Sequence, residues 1–128
     1  MTLGTGIDLI EIDRIERALE RRPALAGRIF TERELEAANA RPHPARHLAA
    51  RFAAKEAALK ALGLGGLRLH EVEVEGGKDS APELRLSGSA ERAADERGVD
   101  LDVSLTHSRD LAAAVVIARP RSEGSDPS

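Results

Sequence analysis

The chain has 128 residues, a formal net charge of -3 and no cysteine. That length suits one domain, and the charge balance excludes a protein whose whole surface attracts nucleic acid. Without cysteine there is no disulfide, no thiolate zinc site and no cysteine nucleophile.

Aromatic residues make up only 2% of the chain, as Phe30 and Phe52. The core must be built from Leu, Ile, Val and many Ala, each burying little area, so some apolar surface is expected to be buried between subunits. No apolar run is long enough to span a membrane and the N-terminus has no secretory pattern. The expected location is the cytoplasm.

In chain order, Leu3 to Leu9 reads as a short strand with glycines. A helix over Ile10 to Arg22 follows, with Ile12, Ile15 and Leu19 on its buried face. Arg14, Arg17 and Arg21 fall on the opposite face, and Pro23 ends the segment. Thr31 and Glu34 have capping-box spacing, with Phe30 and Leu35 placed as a staple, so a short helix starts there and fades by Asn39. The next helix runs from about Pro44 to Leu62 and stops at Gly63. Its many alanines predict packing on several sides.

Gly63 to Gly66 reads as a stop and flexible connector, matching neither a P-loop nor a dinucleotide fingerprint. Val72 and Val74 alternate with glutamates as a half-buried strand. Glu83 to Ser87 is a second strand, Ser89 to Arg97 a short helix closed by Gly98. Leu101, Val103 and Leu105 mark a third strand. Leu111 to Ala118 is a nearly continuous apolar run and so a central strand, paired with the preceding one around Thr106 to Asp110. The last residues, 119–128, are rich in Pro, Ser, Gly and charge and read as a disordered tail behind a domain of residues 1–118. The fold class is α+β, with an N-terminal strand and helices packed on an antiparallel sheet.

Several residues stand out chemically. Asp8 is an acid inside an apolar strand; it is either a cap at the strand–helix junction or a carboxylate facing a cleft. Glu56 is either the partner of Lys60 in an i, i+4 ion pair, worth about 0.2–0.5 kcal/mol, or a site carboxylate on an Ala-lined face. Lys55 lies near the apolar stripe of its helix, either snorkelling or aimed into a site. Arg51, one turn earlier, suits a surface pair. His107, after a strand end, suits a hydrogen-bonding role or a phosphate. His43, His47 and His70 show no zinc spacing. The arginines at 14, 17 and 21 are either solvated or a dock for an acidic helix; no aromatics interleave with them for base stacking. Two carboxylates completed by substrate phosphates commonly hold Mg²⁺, but the spacing alone does not bring Asp8 to Glu56.

Three segments together resemble the holo-acyl-carrier-protein synthases, the small-chain 4′-phosphopantetheinyl transferases. They are Gly4-Thr5-Gly6-Ile7-Asp8-Leu9-Ile10-Glu11-Ile12 with Arg14-Ile15, Arg51-Phe52-Ala53-Ala54-Lys55-Glu56-Ala57 with Lys60, Ala61 and Gly63, and Val103-Ser104-Leu105-Thr106-His107-Ser108. The resemblance implies transfer of phosphopantetheine from coenzyme A to a serine of apo acyl carrier protein, in fatty acid and possibly polyketide synthesis. It implies Mg²⁺ on Asp8 and Glu56, Lys60 at the transferring phosphate, and coenzyme A contacts from Arg51, Lys60, His107 and Ser108. It also implies a homotrimer with sites between subunits, and docking of the carrier's acidic helix on Arg14 and the neighbouring Arg17 and Arg21. The sequence departs from the family at Asp79-Ser80-Ala81-Pro82, where a lysine is often found; Lys78 is the nearest substitute.

Competing classes are a module that docks carrier protein without chemistry and a magnesium-dependent phosphohydrolase. The first has no use for an Asp8–Glu56 pair. The second releases phosphate and needs no carrier. A nucleic-acid binder has the weakest support.

Overall fold

The structure is a computed structural model and describes residues 3–122, the side chain of Leu67 excepted. Strand β1 (Gly4–Glu11) leads into helix α1 (Ile12–Arg21), then α2 (Ala24–Ile29), α3 (Glu32–Asn39) and the long α4 (Pro44–Leu62). A 3-10 segment (Gly66–Glu71) precedes β2 (Val72–Glu75), β3 (Glu83–Leu86), α5 (Gly88–Arg97), β4 (Val99–His107) and β5 (Leu111–Pro120). The expected α+β class holds. The strands form two antiparallel sheets rather than one, β1-β5-β4 and β2-β3, with the apolar β5 in the centre of the larger.

Helix α4 is the axis of the molecule. It packs on β1, β5 and β4 and also meets α1, α3 and β2. Its alanines at 49, 50, 53, 54, 57, 58 and 61 are all buried, because small side chains let neighbours approach from several directions. The closest approach is to β1. A Cβ on Gly6 would lie 1.8 Å from the carbonyl oxygen of Ala57, and one on Gly4 would lie 2.3 Å from that of Ala61. Only glycine fits these positions, and their spacing of two puts both on the same face of the strand as Asp8. Pro44 sits in the first turn of α4, and Gly63 ends it with φ 71°, the left-handed geometry glycine tolerates.

The capping box at α3 is formed as expected: Glu34 N–H donates to Thr31 Oγ1 at 3.3 Å and Thr31 N–H donates to Glu34 Oε1 at 2.9 Å. Helix α2 was not legible. Helix α1 ends before Pro23 as expected, and Pro23 in addition opens α2 from its N-cap position, where the missing N–H costs nothing. The connector after Gly63 is also more ordered than expected, since the 3-10 segment begins at Gly66.

The tail boundary moves. Strand β5 runs to Pro120, two residues beyond Ala118. Arg119 pairs with Asp102 at 2.6 Å and Arg121 with Asp95 at 2.7 Å. The rest of the expected tail, 123–128, lies outside the described residues. Among the described residues no helix is long and apolar enough to cross a membrane.

Candidate active site

Asp8, Glu56 and Lys60 come together where β1 crosses α4. The glycine contacts seat the helix against the strand, and Asp8 follows two residues after Gly6 on the same face. Lys60 Nζ reaches back across this contact. It donates to the Ile7 carbonyl oxygen at 3.0 Å and pairs with Asp8 Oδ1 at 3.3 Å. Asp8 is therefore not the cap of α1; that position is Glu11, whose side chain makes no capping bond. Nor does Lys60 close an ion pair along the helix with Glu56.

Glu56 is left in an uncomfortable place. Burial raises its proton affinity above the ordinary carboxylate value, the nearby Asp8 charge raises it further, and Lys60 partly offsets both. This is the electrostatic signature of two carboxylates converging on one space. The wall opposite is Gly66: a Cβ there would stand 3.4 Å from Glu56 Oε1. Among the described residues no cluster of three or more His, Asp or Glu side chains could hold a metal by itself. The chain offers two hard oxygen donors and a repulsion a divalent cation would relieve. That donor set fits Mg²⁺, which keeps waters and takes substrate phosphates beside one or two carboxylates.

Lys55 is not part of this site. Its Nζ pairs with Glu34 Oε1 at 2.6 Å, with neither side chain exposed. It also donates to the Leu69 and Val72 carbonyl oxygens and lies 5.6 Å from the Phe30 ring centroid. All three ammonium protons have acceptors.

The other expected substrate-binding residues lie elsewhere on the single chain. Arg51 is buried and donates from Nη2 to the Gly76 carbonyl oxygen at 2.7 Å. It lines a pocket of about 390 Å³ between α3, α4 and the β2–β3 turn, which Lys78 also lines. His107 is exposed at the end of β4, separated from β1 by the intervening β5. Ser108 closes the β4–β5 hairpin: its N–H donates to the Leu111 carbonyl at 2.8 Å, and its Oγ accepts from Leu111 N–H at 3.3 Å. Arg14, Arg17 and Arg21 are exposed on α1. Arg17 is held by Asp13 at 2.9 Å; among the described residues Arg14 and Arg21 have no ion-pair partner.

Sequence reasoning missed His47. It is buried, lines the same pocket as Arg51, and its Nε2 has no hydrogen-bond partner among the described residues. Its position four residues before Arg51 on one helix was the available signal.

The chain is a small α+β domain that crosses a glycine-bearing strand over an alanine-rich helix, with an Asp–Glu–Lys cluster at the crossing, and comparison with known proteins gives it a family of transferases. The sequence model of the 4′-phosphopantetheinyl transferase superfamily matches residues 4–116, and the chain belongs to that family. It is 48% identical over 118 residues to the holo-acyl-carrier-protein synthase of Streptomyces avermitilis, covering 91% of this chain and 96% of that protein. The crystal structure of the Neisseria meningitidis holo-acyl-carrier-protein synthase superposes with a TM-score of 0.83 at 31% identity, covering 93% of this chain and 99% of that one. The Bacillus anthracis enzyme, solved in complex with coenzyme A (3′,5′-ADP), gives a TM-score of 0.77 at 32% identity, covering 94% and 99%.

Proposed function

We propose that the chain transfers the 4′-phosphopantetheine group of coenzyme A to a serine of apo acyl carrier protein. The observation that carries this reading is the Asp8–Glu56–Lys60 cluster, built by the Gly4–Gly6 crossing within the span the family matches. The serine oxygen attacks the β-phosphorus of the coenzyme A pyrophosphate. A P–O bond forms, the P–O bond to the α-side breaks, and adenosine 3′,5′-bisphosphate leaves. Asp8 and Glu56 would hold Mg²⁺, which when bound neutralises pyrophosphate charge. Lys60, exposed enough to reach ligand, places its ammonium beside charge that develops on the phosphoryl oxygens. The serine proton goes to Glu56 or to a solvent molecule beside it.

Arg51, His107 and Ser108 are assigned to the rest of coenzyme A, and Arg14, with Arg17 and Arg21, to the acidic helix of the carrier. The exposed position of these arginines supports docking. The working state is a homotrimer in the cytoplasm, serving fatty acid synthesis. The open face of the β1-β5-β4 sheet supports assembly: Ile7 is 70% and Leu9 64% exposed, and Leu111, Val115 and Ile117 join them. The strand register sets Ile7 opposite Val115 and Thr5 opposite Ile117. Such a continuous apolar patch marks an interface. In a trimer, a neighbour's hairpin supplies the His107 that a single chain holds away from its own Asp8. Leu9→Glu is expected to yield monomers in sedimentation and to lose activity with the assembly; an intact trimer would place the interface elsewhere.

The deciding experiment is the intact mass of apo acyl carrier protein after incubation with the chain, coenzyme A and Mg²⁺. A gain of one phosphopantetheine, absent with chelator, is expected. An unchanged mass with free phosphate released would make the chain a hydrolase.

A further inference from the structure

The pocket between α3, α4 and the β2–β3 turn contains more than the Arg51 contact. Two side chains lining it are 6% exposed and carry nitrogen atoms with no hydrogen-bond partner among the described residues: His47 Nε2 and Arg51 Nε. Glu75 Oε1, on the same lining, is a third such atom but has the Arg85 guanidinium beside it; burying the two nitrogens unpaired is costly, so the pocket is shaped for something that pairs with them. Its charge gives the sign of that ligand. Arg33, Arg41, Arg51 and Lys78 line it against Glu75 and Asp79, and Glu75 is already paired with Arg85 at 2.8 Å.

We propose that His47 is a recognition residue for a phosphate monoester in this pocket, its Nε2 donating a hydrogen bond to the phosphate and the imidazole taking up one proton as the dianion enters. This rests on the reading of coenzyme A as substrate and names the part of it concerned, the 3′-phosphate, the molecule's one monoester. The rest of coenzyme A's phosphate is a diester-like pyrophosphate with less charge per phosphorus.

The proton follows from the surroundings. His47 is neutral in the open pocket: burial, then Arg51 and Arg41 from its own side and His107 from β4, push its pKa down to about 4. The neighbours acting on it are two arginines and a histidine, and none of them is an anion. A dianion placed among these cations reverses the field at Nε2, and the charged imidazole then gains a charge-assisted hydrogen bond to phosphate. A neutral phenyl ring of similar shape cannot do this.

The test is calorimetric binding of coenzyme A and of 3′-dephospho-coenzyme A at pH 7, in buffers of different ionisation enthalpy, so that linked protons are counted. The wild-type protein is expected to prefer coenzyme A and to take up close to one proton with it, and none with the dephospho form. His47→Phe is expected to lose about tenfold of that preference and all of the proton uptake. His47→Gln, which keeps a neutral N–H, is expected to abolish uptake and to retain part of the preference. Because the two ligands share every other contact, a general loosening of the pocket lowers both affinities and leaves their ratio unchanged. Unaltered preference or unaltered proton uptake in His47→Phe overturns the role of His47. Failure of the wild-type protein to bind either ligand instead removes the coenzyme A reading on which it rests.

Discussion

Two charged clusters flank α4, and consecutive residues of the helix belong to them. Lys55 turns toward α3 and β2, where it meets Glu34 with no exposure to solvent. Glu56, about 100° further round the helix, faces β1 and the Asp8 carboxylate. In the first cluster every donor and acceptor is matched: Glu34 accepts from Thr31 and Val74 backbone N–H groups as well as from Lys55. In the second the same chemistry is left incomplete. Two carboxylates oppose each other, and one half-exposed lysine answers one of them. A fully matched buried pair holds three elements in register and has nothing left to bind. An unmatched pair at a crossing is costly to the fold and is therefore the place where a cation and a phosphate are stabilised.

The sharpest way to test this contrast is to break each cluster. Lys55→Met leaves Glu34 buried without its cation, and removing one member of a buried pair costs about 3–5 kcal/mol. Urea denaturation should show that loss, while transfer per folded molecule stays near wild type. Asp8→Ala should do the reverse. Transfer is expected to fall by about 10²–10³-fold, the scale seen when one electrostatic stabiliser is removed, with the melting temperature close to wild type. A loss of stability in Asp8→Ala as large as in Lys55→Met would erase the distinction between the clusters.

The docking surface lies outside both clusters and is expected to show a smaller effect. Arg14 is exposed and has no ion-pair partner among the described residues, whereas Arg17 is held by Asp13. Arg14→Glu should raise the KM for carrier protein about tenfold, or roughly 1.4 kcal/mol. The KM for coenzyme A should stay unchanged, and the effect should shrink as salt screens the pair. Equal losses for both substrates would make α1 a support of the cleft instead of a dock.

The uneven legibility of the chain follows the same division. Periodicity and end signals were enough for α3, α4, α5 and the central β5, because these depend on local patterns such as Thr31–Glu34 and Gly63. Long-range pairing was not legible. Glu34 had a complete local explanation as a capping residue, so nothing pointed to Lys55, 21 positions later by their sequence numbers. Asp8 and Glu56 each had a local explanation too, a cap and a helix ion pair. Only the resemblance of whole segments set them together, and the glycines at 4 and 6 then supplied the physical reason: without side chains there, α4 and β1 come close enough for their charges to interact. His47 went unread because it, unlike His107, was weighed only for zinc-ligand spacing.

The smallest expected effect isolates the cost of the incomplete cluster. In the folded chain Glu56 holds its proton more tightly than an ordinary glutamate of pKa 4.5, first through burial and then through Asp8. The unfolded chain therefore binds fewer protons at this position through the window that begins near 4.5 and extends upward to the folded value. Stability must fall as pH rises through that window, and the penalty persists at neutral pH. Glu56→Gln removes the charge but keeps the size. Its melting temperature at pH 7 should equal or exceed that of the wild-type protein, the advantage should vanish below about pH 4.5, where the wild-type carboxyl is protonated in both states, and transfer should be largely lost. With Mg²⁺ and coenzyme A present, the order should invert at pH 7, because only the wild-type pair gains from the cation. A Gln variant less stable at every pH would mean that the Glu56 charge is already matched, and that the two faces of α4 are alike after all.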